Sequence, residues 1–69
     1  MQTFELPAGY SVETARVSGT ANIEFVTRNA EGEAVSTVYH AFAEAAPLLE
    51  NLRRADKRAR CLRAYGVGA

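Results

Sequence analysis

Six cationic side chains lie within eleven residues near the end of the chain. They are Arg53, Arg54, Lys57, Arg58, Arg60 and Arg63. Arginine has a planar fork of N–H donors that binds carboxylate and phosphate groups through paired hydrogen bonds. Residues 51–69 contain one acidic residue, Asp56, whereas residues 1–50 contain seven glutamates and two arginines. The net charge of zero therefore conceals a basic end, which predicts an acidic binding partner.

Three interpretations of this basic cluster are open. It binds an acidic protein surface, or it binds nucleic acid, with Tyr65 offering an aromatic face for stacking. Alternatively, the cations complement the C-terminal dipole of a helix and pair with Glu44 and Glu50. The sequence pI of 6.6 is well below the value of about 9 that is typical of dedicated nucleic-acid-binding domains. A protein partner is therefore favoured over nucleic acid.

Residues that could support catalysis are sparse. The chain has one histidine, His40, and one cysteine, Cys61. A nucleophilic Cys–His pair would require the two residues to meet on neighbouring strands. The simpler interpretation is that Cys61 is a small buried residue and that His40 ends a strand. One cysteine and one histidine are too few for a structural zinc site, and the sequence has no phosphate-binding loop or dinucleotide motif. We therefore predict no enzyme activity, no metal and no cofactor.

The elements that would position the basic cluster begin with β-strands. Residues 11–17 have strand character, and Ser18-Gly19-Thr20 follows as a turn. Residues 22–28 alternate clearly, with Ile23 and Phe25 on one face. Asn29–Gly32 is predicted as a hairpin loop in which Gly32 adopts a positive φ. The next strand is expected from residue 33 or 34 to about residue 39. Residues 1–10 are interpreted as an irregular lead-in.

Helical spacing then replaces the alternation. Apolar residues at positions 42, 45, 46, 49 and 52 predict a helix over roughly residues 42–56. Pro47 implies either a weak first turn or a helix that starts at that proline. Residues 58–67 are predicted to form a last strand, and Gly66 and Gly68 to end that element. The alternative continues the helix through Leu62, because Leu48, Leu52, Ala55, Ala59 and Leu62 also fit helical spacing.

These elements predict one α+β domain over residues 1–69. Its expected architecture is a small antiparallel sheet (β-β-β-α-β) with one helix packed on one face. Phe25, Leu49 and Leu52 are expected in the core. A chain of this length buries only about 60% of its unfolded surface, so a homodimer or a larger partner is expected to support it. One helix covers only one face of a sheet, so the other face is either polar or in contact with another molecule.

Together these features favour a small non-enzymatic protein-binding module. Very small α+β proteins without catalytic motifs are common among phage-encoded inhibitors of host machinery, including anti-CRISPR proteins, an analogy of size and fold class only. By that analogy the partner is an acidic surface of a host protein complex. The alternative is a nucleic-acid-binding protein that uses the arginine-rich region. No membrane span or signal peptide is recognisable, and the single thiol favours a cytoplasmic location.

Overall fold

The computed structural model describes residues 1–65 of the chain. These residues form a four-stranded antiparallel sheet and one long helix. The elements are β1 (Gln2–Glu5), β2 (Ser11–Arg16), β3 (Asn22–Arg28), β4 (Ala34–Ala41) and α1 (Phe42–Ala64). The strands lie side by side in chain order, each antiparallel to its neighbour. The predicted α+β class, with a small antiparallel sheet and one helix, is confirmed.

The order of the elements differs from the predicted β-β-β-α-β order in two places. Four strands precede the helix, and residues 58–64 continue α1 instead of forming a last strand. The alternative, a helix that continues through Leu62, is correct. Ala59 is buried at helical spacing, and the Arg60 guanidinium bonds the Asp56 carboxylate one turn earlier, at 3.0 Å. The predicted end at Gly66–Gly68 lies outside the described residues.

The first strand was not predicted, because residues 1–10 were interpreted as a lead-in. Phe4 lies opposite Val12 and Gln2 lies opposite Thr14 in the β1–β2 ladder. Between these strands the chain reverses at Pro7–Gly9, where the Leu6 N–H donates to the Tyr10 carbonyl at 2.8 Å. A strand of four residues is too short to reveal its alternation. Its pairing with β2 stabilises it.

The predicted β3–β4 hairpin is confirmed. The Asn29 N–H donates to the Glu33 carbonyl at 2.9 Å, and the Asn29 Oδ1 atom accepts from the amides of Glu31 and Glu33. Gly32 has a φ of 85°, as the loop requires. β4 runs to Ala41, two residues beyond the expected end, and its pairing with β3 is irregular beside Arg28.

Helix α1 begins directly after β4. No side chain caps the first turn of the helix. The Phe42 N–H instead donates a hydrogen bond to the Ala21 carbonyl at 3.0 Å, which continues the pairing of β4 with β3. Pro47 lies inside the helix, where it removes one helical hydrogen bond. The helix therefore starts before the proline, as the first of the two alternatives predicted. At 23 residues it is roughly 34 Å long.

The core is thin, as expected from the length of the chain. Its buried apolar side chains within residues 1–65 are Phe4, Val12, Phe25, Ala45 and Ala59, and no large side chain there is fully buried. Phe25 is in the core as predicted. Leu49 and Leu52 pack against this cluster but are only partly buried. The core prediction is therefore correct in position, but it overestimated the burial of the leucines.

The helix crosses the sheet diagonally. It leaves β4 at Phe42 and reaches β1 at Asp56, whose carboxylate accepts the Glu5 N–H at 2.8 Å. One corner of the sheet, next to β4, therefore remains uncovered. There, an open groove of about 400 Å³ has apolar side chains on both its sheet wall and its helix wall: Val12, Phe25, Val38, Leu48, Leu52 and Ala55.

The opposite face of the sheet is mainly polar, one of the two alternatives that the sequence left open. The Arg28 guanidinium pairs with the Glu13 carboxylate on neighbouring strands. The Tyr39 hydroxyl donates to the Glu24 carboxylate at 3.0 Å. Cross-strand polar pairs of this kind allow a sheet face to remain in water.

Candidate partner-binding surface

All six predicted cations lie on the second half of α1, and all are exposed. At about 100° per residue, Arg53, Arg54, Lys57 and Arg58 fall within an arc of roughly 140° on the side away from the sheet. We call these four residues the basic face. Arg60 and Arg63 lie outside it and extend towards β1. The structure therefore divides the predicted cluster into two groups with different surroundings.

Arg60 and Arg63 belong to an ion cluster that joins the helix to β1. The Arg63 Nη1 atom lies 2.9 Å from the Glu5 Oε2 atom, which is buried. Arg60 lies 4.0 Å from the same oxygen and 3.0 Å from Asp56. The Glu5 side chain is 29% exposed, and a carboxylate that is partly removed from water is stabilised by such partners. These two arginines therefore have a structural role.

Asp56 is the centre of this ion cluster. Its carboxylate accepts the Glu5 backbone N–H at 2.8 Å and the Arg60 guanidinium at 3.0 Å. These hydrogen bonds, first from the Glu5 amide and then from Arg60, lower the pKa of Asp56 below its usual value. In turn, Asp56 raises the pKa of Arg60. The carboxylate is therefore held in its charged form where helix and strand meet.

Two residues of the basic face have weak partners. Arg53 lies 3.6 Å and Arg54 lies 3.8 Å from the Glu50 carboxylate, one turn earlier on the helix. Both guanidinium groups remain largely in water, and such exposed pairs contribute at most about 1 kcal/mol each. The prediction that the cations pair with Glu50 is confirmed for these two. Glu44 forms no ion pair within residues 1–65.

Lys57 and Arg58 form no ion pair with any residue of the described chain. A recess of about 530 Å³ borders the basic face, with Arg54 and Arg58 beside the apolar side chains of Pro7, Ala55 and Leu62. Cations next to an apolar recess suit a ligand that has a carboxylate beside an apolar group. The helix therefore presents unneutralised charge together with apolar contact area.

The tyrosines occupy three different places. Tyr65 is 82% exposed at the end of α1, where its N–H donates to the Cys61 carbonyl. Tyr10 lies in the β1–β2 connection. The hydrogen bond to Glu24 raises the pKa of the Tyr39 phenol above its usual value. Of the three, only Tyr65 adjoins the basic region, as the sequence predicted.

His40 and Cys61 are far apart. The His40 ring packs edge-on against Phe25, with 5.2 Å between ring centroids, beside the start of the helix. Cys61 follows nineteen residues after Phe42, which is roughly 28 Å along the helix, so the two do not form a Cys–His pair. Cys61 is exposed. The expectation that it is buried is wrong, because the segment predicted as a last strand is part of the helix.

Within residues 1–65, no three His, Cys, Asp or Glu side chains lie together to hold a metal ion.

Two features of the surface could not be inferred from the sequence. Glu5 lies more than fifty positions before its arginine partners, so no local spacing relates them. The groove beside β4 depends on the angle at which the helix crosses the sheet. The pairing of Asp56 with Arg60 could have been recognised in the sequence, because an acidic and a basic residue four positions apart are typical of helices.

The fold and the basic face define a small sheet-and-helix protein with an arginine-rich outer surface. No family model matches this chain, and neither a curated protein nor a solved structure is similar to it. No helix in residues 1–65 is both long and apolar enough to cross a membrane.

Proposed function

We propose that this protein is a non-enzymatic binding module that presents the basic face of α1 to an acidic protein surface. The observation that carries the proposal is that Lys57 and Arg58 are exposed and form no ion pair within residues 1–65. They lie on a helix whose position is fixed by the Asp56 and Glu5 contacts. A rigid support lowers the entropy cost of binding.

The recess beside Arg54 and Arg58 adds specificity to this proposal. Guanidinium groups bind carboxylates with paired hydrogen bonds, and the neighbouring apolar side chains exclude water from the contact. Charge attraction alone mainly raises the association rate. An acidic segment that also carries an apolar residue is therefore the proposed ligand, since it uses both parts of this surface.

The proposed biological setting is an analogy based on size and fold class. We propose that the chain is a phage- or mobile-element-encoded inhibitor of a host protein complex, that it acts in the cytoplasm and that it works as a homodimer. The support is the small α+β fold, the thin core and an exposed single thiol. Reducing compartments preserve such thiols. Nucleic acid is the second candidate ligand, favoured by the exposed Tyr65 beside the basic face.

A charge-matched pair of variants tests the proposal. Lys57→Gln with Arg58→Gln lowers the net charge by two at the basic face. Ser18→Glu with Ala43→Glu lowers it by the same amount at exposed positions elsewhere. Partners captured from host lysate by the wild-type chain should be lost or weakened at least tenfold with the first variant and retained with the second. Equal capture by both variants would contradict the proposal.

Nuclease treatment and salt titration separate the two candidate ligands. A protein partner should survive nuclease, and its affinity should decline gently with salt because its centre is apolar. A nucleic-acid ligand should disappear with nuclease, and its affinity should fall steeply and linearly on a log–log scale between about 50 and 200 mM salt.

A further inference from the structure

The two edges of the sheet are not equivalent. At one edge, β1 has only four residues, α1 packs over it, and the Glu5 N–H is bonded to the Asp56 side chain. At the other, β4 has eight residues, of which Ala34 to Tyr39 are all exposed. Short, covered and charged edges resist pairing with other chains, whereas long open edges invite it.

The backbone of β4 has free hydrogen-bonding groups on its outer side. In antiparallel pairs, the groups that face a neighbour alternate along the strand. The Phe42 N–H donates to the Ala21 carbonyl. By this alternation, the backbone N–H and C=O groups of His40 and Val38 also point towards β3. Those of Tyr39 and Thr37 point away from the sheet. Within residues 1–65 no hydrogen bond reaches the backbone of Thr37 or Tyr39 from that side. These groups are available to another strand.

The side chains of β4 allow this strand to pair with itself. Ala34–Ala41 contains no Lys, Arg, Asp, Glu or Pro, the residues that normally block edge pairing. Antiparallel self-pairing places like side chains close to one another, so a charged strand would repel its copy. Val35, Val38 and Tyr39 are 54%, 43% and 56% exposed, and pairing would bury apolar area on both faces.

The apolar groove continues this edge. Val38 lies both on β4 and in the groove wall. A two-fold axis that relates two antiparallel strands of one sheet is perpendicular to that sheet, so both helices would lie on the same face. The two grooves would then meet at the dimer axis, and the Val38 side chains of the two copies would be close together. The dimer therefore covers apolar surface that a single chain leaves in water.

We infer that the free edge of β4 pairs antiparallel with β4 of a second copy and joins the two sheets into one. This inference gives a surface to the homodimer proposed above and rests on that part of the proposal alone. It does not involve the basic face, so the Lys57→Gln, Arg58→Gln variant should remain a dimer. Loss of partner binding and loss of the dimer are therefore separate results.

Sedimentation equilibrium on two matched lysine variants tests the inference. Thr37 on β4 and Thr3 on β1 lie on the same face of the sheet, at its two opposite edges. They belong to one row of paired residues across the four strands, with Val26 and Glu13 between them. Over roughly 1 to 100 µM, where dimerisation should be visible, wild type and Thr3→Lys should reach the dimer mass. Thr37→Lys should remain at the monomer mass. A wild-type monomer throughout would overturn the inference and leave this edge to a strand of another protein.

Crosslinking provides a second measurement that does not depend on the lysine variants folding well. In a Cys61→Ser background, Thr37→Cys should link two copies through a short bismaleimide, and Thr3→Cys should not. Equal crosslinking at both positions, or a Thr37→Lys variant that is folded and still dimeric, would show that the copies meet elsewhere.

Discussion

Asp56 shows how one side chain can join distant parts of this chain. It bonds the backbone of Glu5 and the guanidinium of Arg60, and Arg63 adds a contact to the Glu5 carboxylate. The helix end is therefore anchored to β1 by charge-assisted hydrogen bonds, which are stronger than those between neutral groups. Arg60 and Arg63, two of the arginines predicted to bind a partner, contribute to this anchor, so the proposed partner recognition is assigned to the basic face.

The first prediction concerns pH. The pKa of Asp56 is lower in the folded chain than its usual 3.8, so its stabilising effect is present above about pH 4 and is lost as the pH falls below that. Asp56→Asn should lower the free energy of unfolding by about 1–2 kcal/mol at neutral pH. The difference from wild type should shrink below pH 4 in urea titrations.

The exposed carboxylate of Glu31, at the hairpin tip, provides the control for this prediction. Glu31→Gln should change stability by less than about 0.5 kcal/mol at neutral pH. An Asp56→Asn difference that stayed constant down to pH 2 would show that the charge of Asp56 is not involved.

The second prediction separates two effects of a glycine. Gly9 has a φ of 82°, and a Cβ atom there would lie 3.0 Å from the Cβ atom of Ala30. Gly19 has a φ of 76° with no atom within 4 Å. Gly19→Ala should cost about 1 kcal/mol through backbone strain alone. Gly9→Ala should cost more, because Ala30 must also move. Equal thermal midpoints for the two variants would contradict the close contact.

At the scale of elements, the diagonal path of α1 decides which surfaces are covered. The helix starts at one edge of the sheet and ends near the other, so its leucines face the sheet without being completely enclosed by it. Leu52 packs on the core and also borders the groove. The same crossing covers β1 and exposes β4. The packing of the helix and the uncovered groove beside β4 therefore have one geometric origin.

The third prediction tests this packing. Leu52→Ala should destabilise the chain by about 1–3 kcal/mol, towards the low end for buried leucines because the side chain is only partly enclosed. Val35→Ala, which removes apolar atoms from an exposed position on β4, should cost less than about 0.5 kcal/mol in dilute protein. Chemical denaturation of both variants measures the difference. Similar losses would mean that α1 does not pack on the sheet through Leu52.

At the scale of the whole molecule, stability is limited by size. The described core holds five buried apolar side chains, two of which are alanines. Burial of so little area leaves a small margin over the conformational entropy lost on folding. A second copy would increase the buried area without lengthening the chain, so the proposed dimer would also stabilise the fold.

The fourth prediction follows from that coupling of folding to association. If the dimer supports the fold, a hundredfold increase in protein concentration should raise the thermal midpoint of the wild type by roughly 5–10 °C. The midpoint of Thr37→Lys should be lower and independent of concentration. Circular dichroism melts over that range measure both. A wild-type midpoint that does not depend on concentration would exclude dimerisation as a source of stability.

The sequence determined the elements whose signals are local. Alternation over residues 22–28, a four-residue loop with Gly32 and apolar spacing from Phe42 predicted the hairpin and the helix start. Strand and helix periodicities differ because side chains follow backbone geometry. The basic cluster was also visible in the sequence, since the residue types alone reveal charge.

Only the tertiary structure decided the rest, because it depends on contacts between residues far apart in the chain. β1 is too short to be recognised without β2, and the continuation of α1 is favoured by ion pairs to Glu5. The division of the cations into those that pair with β1 and those on the basic face requires the position of that glutamate. β4 is an edge because it is last in the strand order, and the groove beside it depends on the crossing angle of the helix, which packing sets and no local pattern encodes.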